Sequence, residues 1–260
     1  MMNQILIEKV KQNLRQLRLK DMADALVTTL AVAENQRQGH LAFLSELTEI
    51  QLKATDNRSL ERRIQKANLP RNMTFDNFDW NFQPGLNVEQ LKNLMELGFV
   101  LNKQPLLILG KSGTGKTHIS SALGTKACQA GLKTQFITLQ ELLTRLYASL
   151  ADDSTDELIA KFIRNELLII DHMGYIRTKP EYPSLLFDLI SACQDSTALI
   201  INSNISFEEW STALGNLSIT ANIIDRIFHK ACLINIKPGK SYRTQGPHSP
   251  SLTLSQNDLD

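Results

Sequence analysis

One stretch constrains the fold more than any other: Leu106-Leu107-Ile108-Leu109-Gly110-Lys111-Ser112-Gly113-Thr114-Gly115-Lys116-Thr117. A short apolar run of strand type feeds a glycine-rich turn that closes on Lys-Thr, and a helix-compatible segment, Ile119 to Ala130, follows. This is the full G-x-x-x-x-G-K-[ST] pattern in the strand–turn–helix setting it requires. Gly110, Gly113 and Gly115 let the backbone curl so that successive N–H groups surround an anion, where a Cβ would block the conformation or the approach. Lys111, Ser112 and Thr114 complete the curl. Lys116 brings a point charge to β- and γ-phosphates, and the Thr117 hydroxyl, at the first turn of the helix, is placed to ligate Mg²⁺. His118, next in line, points along that turn and reads as structural support of the same site. A turn that merely joined a strand to a helix would have no use for this ordered set, so the stretch is a nucleotide site.

The rest of the chain organises around it. Residues 5 to about 68 lack strand-like alternation and carry almost no Gly or Pro. Leu14, Leu17, Met22, Ala25, Leu26 and Leu30, then Leu41, Phe43, Leu44, Leu47 and Ile50, have helical spacing, with a break near Gly39 and a third segment over Leu60 to Leu69. A small all-helical domain is expected over 1–69. A strap and helix over 70–98 follow, with Phe75, Phe78, Trp80 and Phe82 among polar residues. Such rings pin a strap to the next domain and can also lie near a nucleotide base.

From 99 to 248 short apolar strands (Thr134 to Thr138, Leu167 to Asp171, Ala198 to Ser203, Ala231 to Ile236) alternate with helices (Thr117 to Ala130, Leu139 to Leu150, Thr155 to Asn165, Tyr182 to Asp195, Thr220 to Lys230). That pattern predicts an α/β domain: a mostly parallel sheet with helices on both faces and its ligand at the carboxyl ends of the strands. The Ser/Leu/Asp/Asn tail, 249–260, has no period and is expected to be disordered.

Composition excludes several classes. No apolar run is long enough to cross a bilayer and the N-terminal residues do not read as a signal peptide, so a cytoplasmic protein with no membrane partner is expected. Cys128, Cys193 and Cys232 are scattered in apolar contexts, which indicates neither zinc nor a disulfide framework. Net charge is +1, but up to Arg71 there are 12 Lys/Arg against 8 Asp/Glu, a basic bias compatible with nucleic-acid contact. Arg18, Lys20, Arg62, Arg63 and Lys66 are the candidate DNA phosphate contacts; the bland reading of the same residues is a solvated helix face.

Five further positions carry candidate chemistry. Asp171 ends an apolar strand downstream of the phosphate loop, where a carboxylate holds Mg²⁺ opposite Thr117. His172 occupies the next position, where hydrolysing machines commonly set an acid that orients and deprotonates water; a neutral imidazole accepts a proton, but a protonated one is a cation beside Mg²⁺. Asn204 offers an amide to a γ-phosphate or an attacking water. Arg226 either pairs with Asp225 or reaches a nucleotide on a neighbouring subunit, and Arg243, after the last strand, folds back onto phosphates or belongs to a solvated basic segment.

The chain resembles the IstB-like family of ATP-binding transposition helpers, relatives of the helicase loader DnaC among the AAA+ ATPases. Beyond the phosphate loop, the resemblance rests on Leu19-Lys20-Asp21-Met22-Ala23-Asp24-Ala25-Leu26, Arg62-Arg63 with Leu69-Pro70, and Leu168-Ile169-Ile170-Asp171 with Gly174-Tyr175. It continues through Ser203-Asn204 with Phe207-Glu208-Glu209-Trp210, Asp225-Arg226 and Gly239-Lys240-Ser241-Tyr242-Arg243.

What the resemblance implies is a P-loop NTPase of AAA+ type that binds ATP and Mg²⁺. Lys116 and Thr117 correspond to the Walker A pair, Asp171 to the Walker B aspartate, Asn204 to the first sensor, Arg226 to the arginine finger and Arg243 to the second sensor. It also implies a homo-oligomer formed with ATP on double-stranded DNA, a partner transposase from the same insertion sequence, and an N-terminal domain contacting transposase, DNA or both. His172 departs from the family pattern. A DnaC-like helicase loader and a nucleotide-binding switch with little hydrolysis are the competing readings.

Overall fold

The computed structural model describes residues 2–174, 176–236 and 239–242. Close contacts divide the chain into two compact units, one to Arg62 and a second from Arg63 onward.

The first unit is built from α1 (Met2–Gln16), α2 (Lys20–Asn35) and most of α3 (His40–Ala67). Its core is small: Met22, Leu26 and Leu47 are buried, with Ile7, Val10, Leu14 and Phe43 packed against them. Leu19, the residue before α2, has no side-chain oxygen with which to cap it. Gln51 of α3 does so instead, its Oε1 accepting from the N–H groups of Asp21 and Met22 at 3.1 and 3.3 Å. Its Nε2 donates to Asp21 Oδ2 at 3.0 Å, and the Arg58 guanidinium grips the same carboxylate with two bonds of 2.9 and 2.7 Å. Arg58 thereby holds the Asp21 carboxyl below its ordinary range.

The expected division of this region into three helices with a separate segment over Leu60 to Leu69 is corrected in one respect. Residues 40–67 form a single helix, because neither Gly nor Pro interrupts the chain between Gly39 and Pro70. Asn68, with φ 55°, ends it.

In the second unit a strap precedes α4 (Val88–Met95) and the short α5 (Gly98–Leu101). Then follow β1 (Leu106–Gly110), α6 (Lys116–Gln129), β2 (Thr134–Thr138), α7 (Leu139–Ala148), α8 (Thr155–Ile163), β3 (Leu167–Met173) and α9 (Tyr182–Cys193). The chain closes with β4 (Ala198–Ser203), α10 (Phe207–Leu214), α11 (Leu217–Phe228) and β5 (Cys232–Ile236).

The sheet has the order β2-β3-β4-β1-β5, with every pair parallel. Strands β1 and β4 are buried at every residue, as expected of strands covered on both faces. On one face Leu107, Ile137, Leu168, Ile170, Leu199 and Ile201 pack with α7, α8, α9 and α11. On the other, α6 sits so close that a Cβ on Gly124 would come within 2.8 Å of Ile169 and of Leu69.

Two features were not expected. Helix α10 is one: its Glu209 carboxylate accepts from the Ser206 N–H at 2.7 Å, and Gly215, with φ 80°, stops it. The other is that β3 runs past Asp171 to Met173 through an irregularity in register between Ile170 and Met173, with His172 at φ 62°. The tail 249–260 lies outside the described residues. Among the described residues, no helix is long and apolar enough to cross a membrane.

Candidate nucleotide-binding site

β1 delivers the glycine-rich turn to the carboxyl edge of the sheet, and α6 carries it away. The curl is tight. A Cβ on Gly110 would fall 2.7 Å from Thr114 Oγ1 and 3.3 Å from the Ile236 side chain, and Gly113 and Gly115 have φ of 80° and 95°. Thr114 is almost wholly buried, its hydroxyl bonded to the Lys111 carbonyl at 2.9 Å. Lys116 is buried too. Its ammonium donates to the Gly110 and Lys111 carbonyls at 2.7 and 2.8 Å, inside the curl.

The end of β3 supplies the second half. Asp171, 2% exposed, accepts from the Thr117 hydroxyl at 2.9 Å on Oδ2 and 3.2 Å on Oδ1. A hydroxyl and a carboxylate facing each other at the mouth of a phosphate loop are hard oxygen donors that fit Mg²⁺, which keeps waters and takes its other ligands from substrate phosphates. Among the described residues no cluster of three or more His, Cys, Asp or Glu side chains is arranged to hold a metal, so the metal would depend on this pair together with the phosphates.

His172 Nδ1 lies 3.2 Å from Asp171 Oδ2, and its side chain is 63% exposed. A histidine at φ 62° is unusual, and His172 lines the cleft together with Asn204. Gly174 leaves room for the Asn204 amide, which a Cβ there would strike.

Behind Asp171 stands a residue that sequence reasoning missed. Asn202 of β4 is fully buried, and its Nδ2 donates to Asp171 Oδ1 at 2.8 Å and to Ser120 Oγ at 2.7 Å. An asparagine directly after the apolar run Ala198 to Ile201, still within the strand, was the available signal, since a polar group in a two-face-buried strand needs a partner.

The remaining walls come from the strap and from the segment after β5. Phe78 packs edge-on to Trp80 and to His118, each at 5.2 Å, and lies 3.6 Å from where a Gly115 Cβ would stand. His118 Nε2 is 2.7 Å from the Thr74 carbonyl, which only accepts, so that nitrogen carries the proton. The expected support role of His118 is therefore a bond from the phosphate-loop helix to the strap.

Gln83 and Lys240 exchange two hydrogen bonds of 2.6 and 3.0 Å. Phe82 meets Tyr242 edge-on at 4.8 Å, and the Tyr242 N–H donates to the Gly113 carbonyl at 2.8 Å. The strap thus both pins itself by its rings and lines the cleft, where Met73, Phe78 and Phe82 supply apolar surface beside the loop. These walls leave a cleft beside the loop that opens to solvent.

The model of the IstB-like ATP binding protein family matches residues 12–249. The chain belongs to that family. A protein of insertion sequence IS5376 of Geobacillus stearothermophilus, named for ATP binding, is 30% identical over 236 residues, covering 91% of this chain and 94% of its own. A similarly named protein of insertion sequence IS21 of Pseudomonas aeruginosa is 30% identical over 230 residues, covering 88% and 86%.

Among solved structures, the DnaC helicase loader matches with a TM-score of 0.55 at 18% identity over 64% of this chain and 98% of that one. AMPPCP-bound DnaA from Aquifex aeolicus matches with 0.55 at 20% identity over 68% and 53%. The fold is that of the AAA+ P-loop NTPases, preceded by a small all-helical region.

Not every candidate of this IstB-like chain gathers at the cleft. Lys111, Ser112, Gly113, Thr114, Gly115, Lys116, Thr117, His118, Asp171, His172 and Asn204 are on or at it. Arg226 is not. Its guanidinium lies over the Phe187 ring, 4.5 Å from the centroid, in a separate cleft with Pro105 and Thr197, near the amino ends of β1 and β4. Arg243 lies outside the described residues.

Arg18 and Lys20, at the turn between α1 and α2, are exposed, as are Arg62 and Lys66 on α3. Arg63 is half-buried, its Nε donating to the Cys128 carbonyl at 2.8 Å, near the end of α6. Cys128 and Cys193 are buried free thiols and Cys232 a partly buried one, as expected from their apolar contexts.

Proposed function

We propose that this IstB-like chain binds ATP with Mg²⁺ in the cleft and, so loaded, assembles with copies of itself on duplex DNA as helper of the transposase of its own insertion sequence. The observation that supports this most directly is the facing of Thr117 and Asp171 beside the Lys116-bearing curl. The curl's N–H groups and Lys116 bind the phosphates, and Thr117 with Asp171 holds the metal, which withdraws charge from the transferred phosphoryl group. Asn204 holds the γ-phosphate or the attacking water. A neutral His172 accepts that water's proton.

Arg226, away from the cleft of its own chain, suits a role on a neighbouring subunit's nucleotide, where a guanidinium stabilises charge developing during transfer. Arg243 is proposed as a further phosphate contact from the segment after β5. Arg18, Lys20, Arg62, Arg63 and Lys66 are proposed to meet DNA phosphates. The insertion-sequence names of the relatives support the transposase as partner.

The test is fluorescence anisotropy of a labelled duplex with the purified chain. Binding should strengthen with Mg·ATP, weaken with salt, and lose the nucleotide effect in Lys116→Ala. Neutralising the basic group should reduce the salt slope, and an unchanged slope removes those residues from the interface.

A second reading is favoured by His172. An exposed imidazole stands where hydrolysing machines commonly set an acid, which points to a nucleotide switch with little turnover. Steady DNA-stimulated hydrolysis abolished by Lys116→Ala would exclude that version. Capture of a hexameric helicase in place of the transposase would favour a loader.

A further inference from the structure

Asn202 does something that its place in an apolar strand does not require. It is 0% exposed, sits between Ile201 and Ser203, and spends both hydrogens of its amide nitrogen on the nucleotide site. One goes to Asp171 Oδ1 at 2.8 Å. The other goes to Ser120 Oγ at 2.7 Å, and that hydroxyl in turn donates to the Thr117 carbonyl at 3.1 Å. A carboxylate only accepts, so the orientation of the amide follows from chemistry: nitrogen toward Asp171. The amide oxygen pays for this arrangement, since it is buried with no hydrogen-bond partner among the described residues. A leucine of similar size could make neither bond.

We propose that Asn202 is a positioning residue for the metal. Resting on the reading of the cleft as a Mg²⁺-nucleotide site, it fixes the Asp171 carboxylate, and through Ser120 the first turn of α6, so that the Thr117 hydroxyl and the carboxylate face each other at a set spacing. Thr117 holds the carboxylate from the solvent side at 2.9 Å and Asn202 from the core side. With Mg²⁺ held by Thr117 and Asp171, the bond from Asn202 on the core side would remain to keep the carboxylate aimed. Partners behind a metal ligand typically alter metal affinity about 10- to 100-fold.

The experiment uses the full chain, a fluorescent ATP analogue and two variants, Asn202→Leu and Asn202→Ser. Nucleotide binding is titrated in EDTA and then against increasing Mg²⁺, alongside thermal melting. Asn202→Leu should melt cooperatively as a folded protein and bind nucleotide in EDTA as the wild type does. It should nevertheless need about tenfold more Mg²⁺ to reach half of the metal-dependent gain. Asn202→Ser, too short to reach both partners, should shift the Mg²⁺ requirement in the same direction, and it carries the test if the leucine variant does not fold.

An unchanged Mg²⁺ requirement in the folded variant overturns the proposal. So does a loss that is equal with and without metal, because that is what a purely structural asparagine would give. If the wild type binds no nucleotide in either condition, the reading of the cleft falls and takes the proposal with it. A wild type that binds and a variant with the wild-type Mg²⁺ curve overturn the positioning role alone.

Discussion

Replacing Gly113 by alanine tests how the phosphate loop is held. Gly113 has φ 80°, and the space a Cβ would occupy is filled by Ser241, whose neighbour Tyr242 donates its N–H to the Gly113 carbonyl at 2.8 Å. Three costs follow. A left-handed conformation at a residue with a Cβ costs about 1–2 kcal/mol, displacing a packed neighbour costs about 1–3 kcal/mol, and the Tyr242 bond is worth about 1 kcal/mol if it is lost. The Ser241 segment can shift, so the second and third costs are alternatives more than a sum. A net penalty of about 2–3 kcal/mol on the binding-competent loop corresponds to a fall in nucleotide affinity of roughly 30- to 150-fold.

The assay is titration of a fluorescent ATP analogue with Mg²⁺, together with hydrogen exchange at the Tyr242 amide. Gly131→Ala is the control: that glycine ends α6 at φ 88° with open space around it, so it carries the backbone cost without the clash and far along the helix from the loop. It should lower the melting temperature while leaving nucleotide affinity within about twofold of the wild type, because backbone strain acts locally. Wild-type affinity in Gly113→Ala, or equal losses in the two variants, would refute the reasoning.

Other outcomes follow from the same contacts. Because Arg58 holds the Asp21 carboxyl below its ordinary 3.8, the stabilisation that this contact gives the helical unit is present above that pH and is lost as pH falls through the lowered value. Helical circular dichroism should therefore show an acid transition at pH below about 4 that Asp21→Asn diminishes, and identical acid curves for the two proteins would contradict the pairing. Burial pushes the Cys193 thiol up to about 12 and raises that of Cys128, so iodoacetamide at pH 8 should modify the partly exposed Cys232 first and the buried pair only on unfolding. Mass spectrometry of the alkylated peptides reads this directly, and early labelling of Cys193 would contradict its placement.

Much of the second unit was legible because its signals are local. The apolar runs over residues 106–109, 167–170 and 198–201 had to be strands covered on both faces, and the Gly/Lys/Thr spacing required a strand before the loop and a helix after it. Ser206 and Glu209, three apart before Trp210, are also a readable helix start for α10, and Asn216, whose side chain accepts from the Ile219 N–H, is one for α11, which begins three residues before the expected Thr220.

Other features depend on partners distant in sequence. Nothing near Leu19 reveals that Gln51 caps α2, and nothing near Gly113 reveals that Ser241 fills its missing side chain. The strap's rings were legible as anchors, but that His118 bonds to Thr74 and that Gln83 clasps Lys240 needed the fold. Asn202 was visible as an oddity in its strand. Its meaning required knowing that Ile169 pairs with Ile200, which brings the Asp171 end of β3 beside β4.

Isothermal titration of ATP into the purified full chain is the most direct test of the central claim, that the curl at Gly110 to Thr117 and the carboxylate of Asp171 form one Mg²⁺-nucleotide site. One ATP per chain is expected with Mg²⁺, with affinity reduced at least about tenfold in Lys116→Ala and with the benefit of added Mg²⁺ lost in Asp171→Asn. Equal affinity and equal Mg²⁺ response in all three proteins would contradict it.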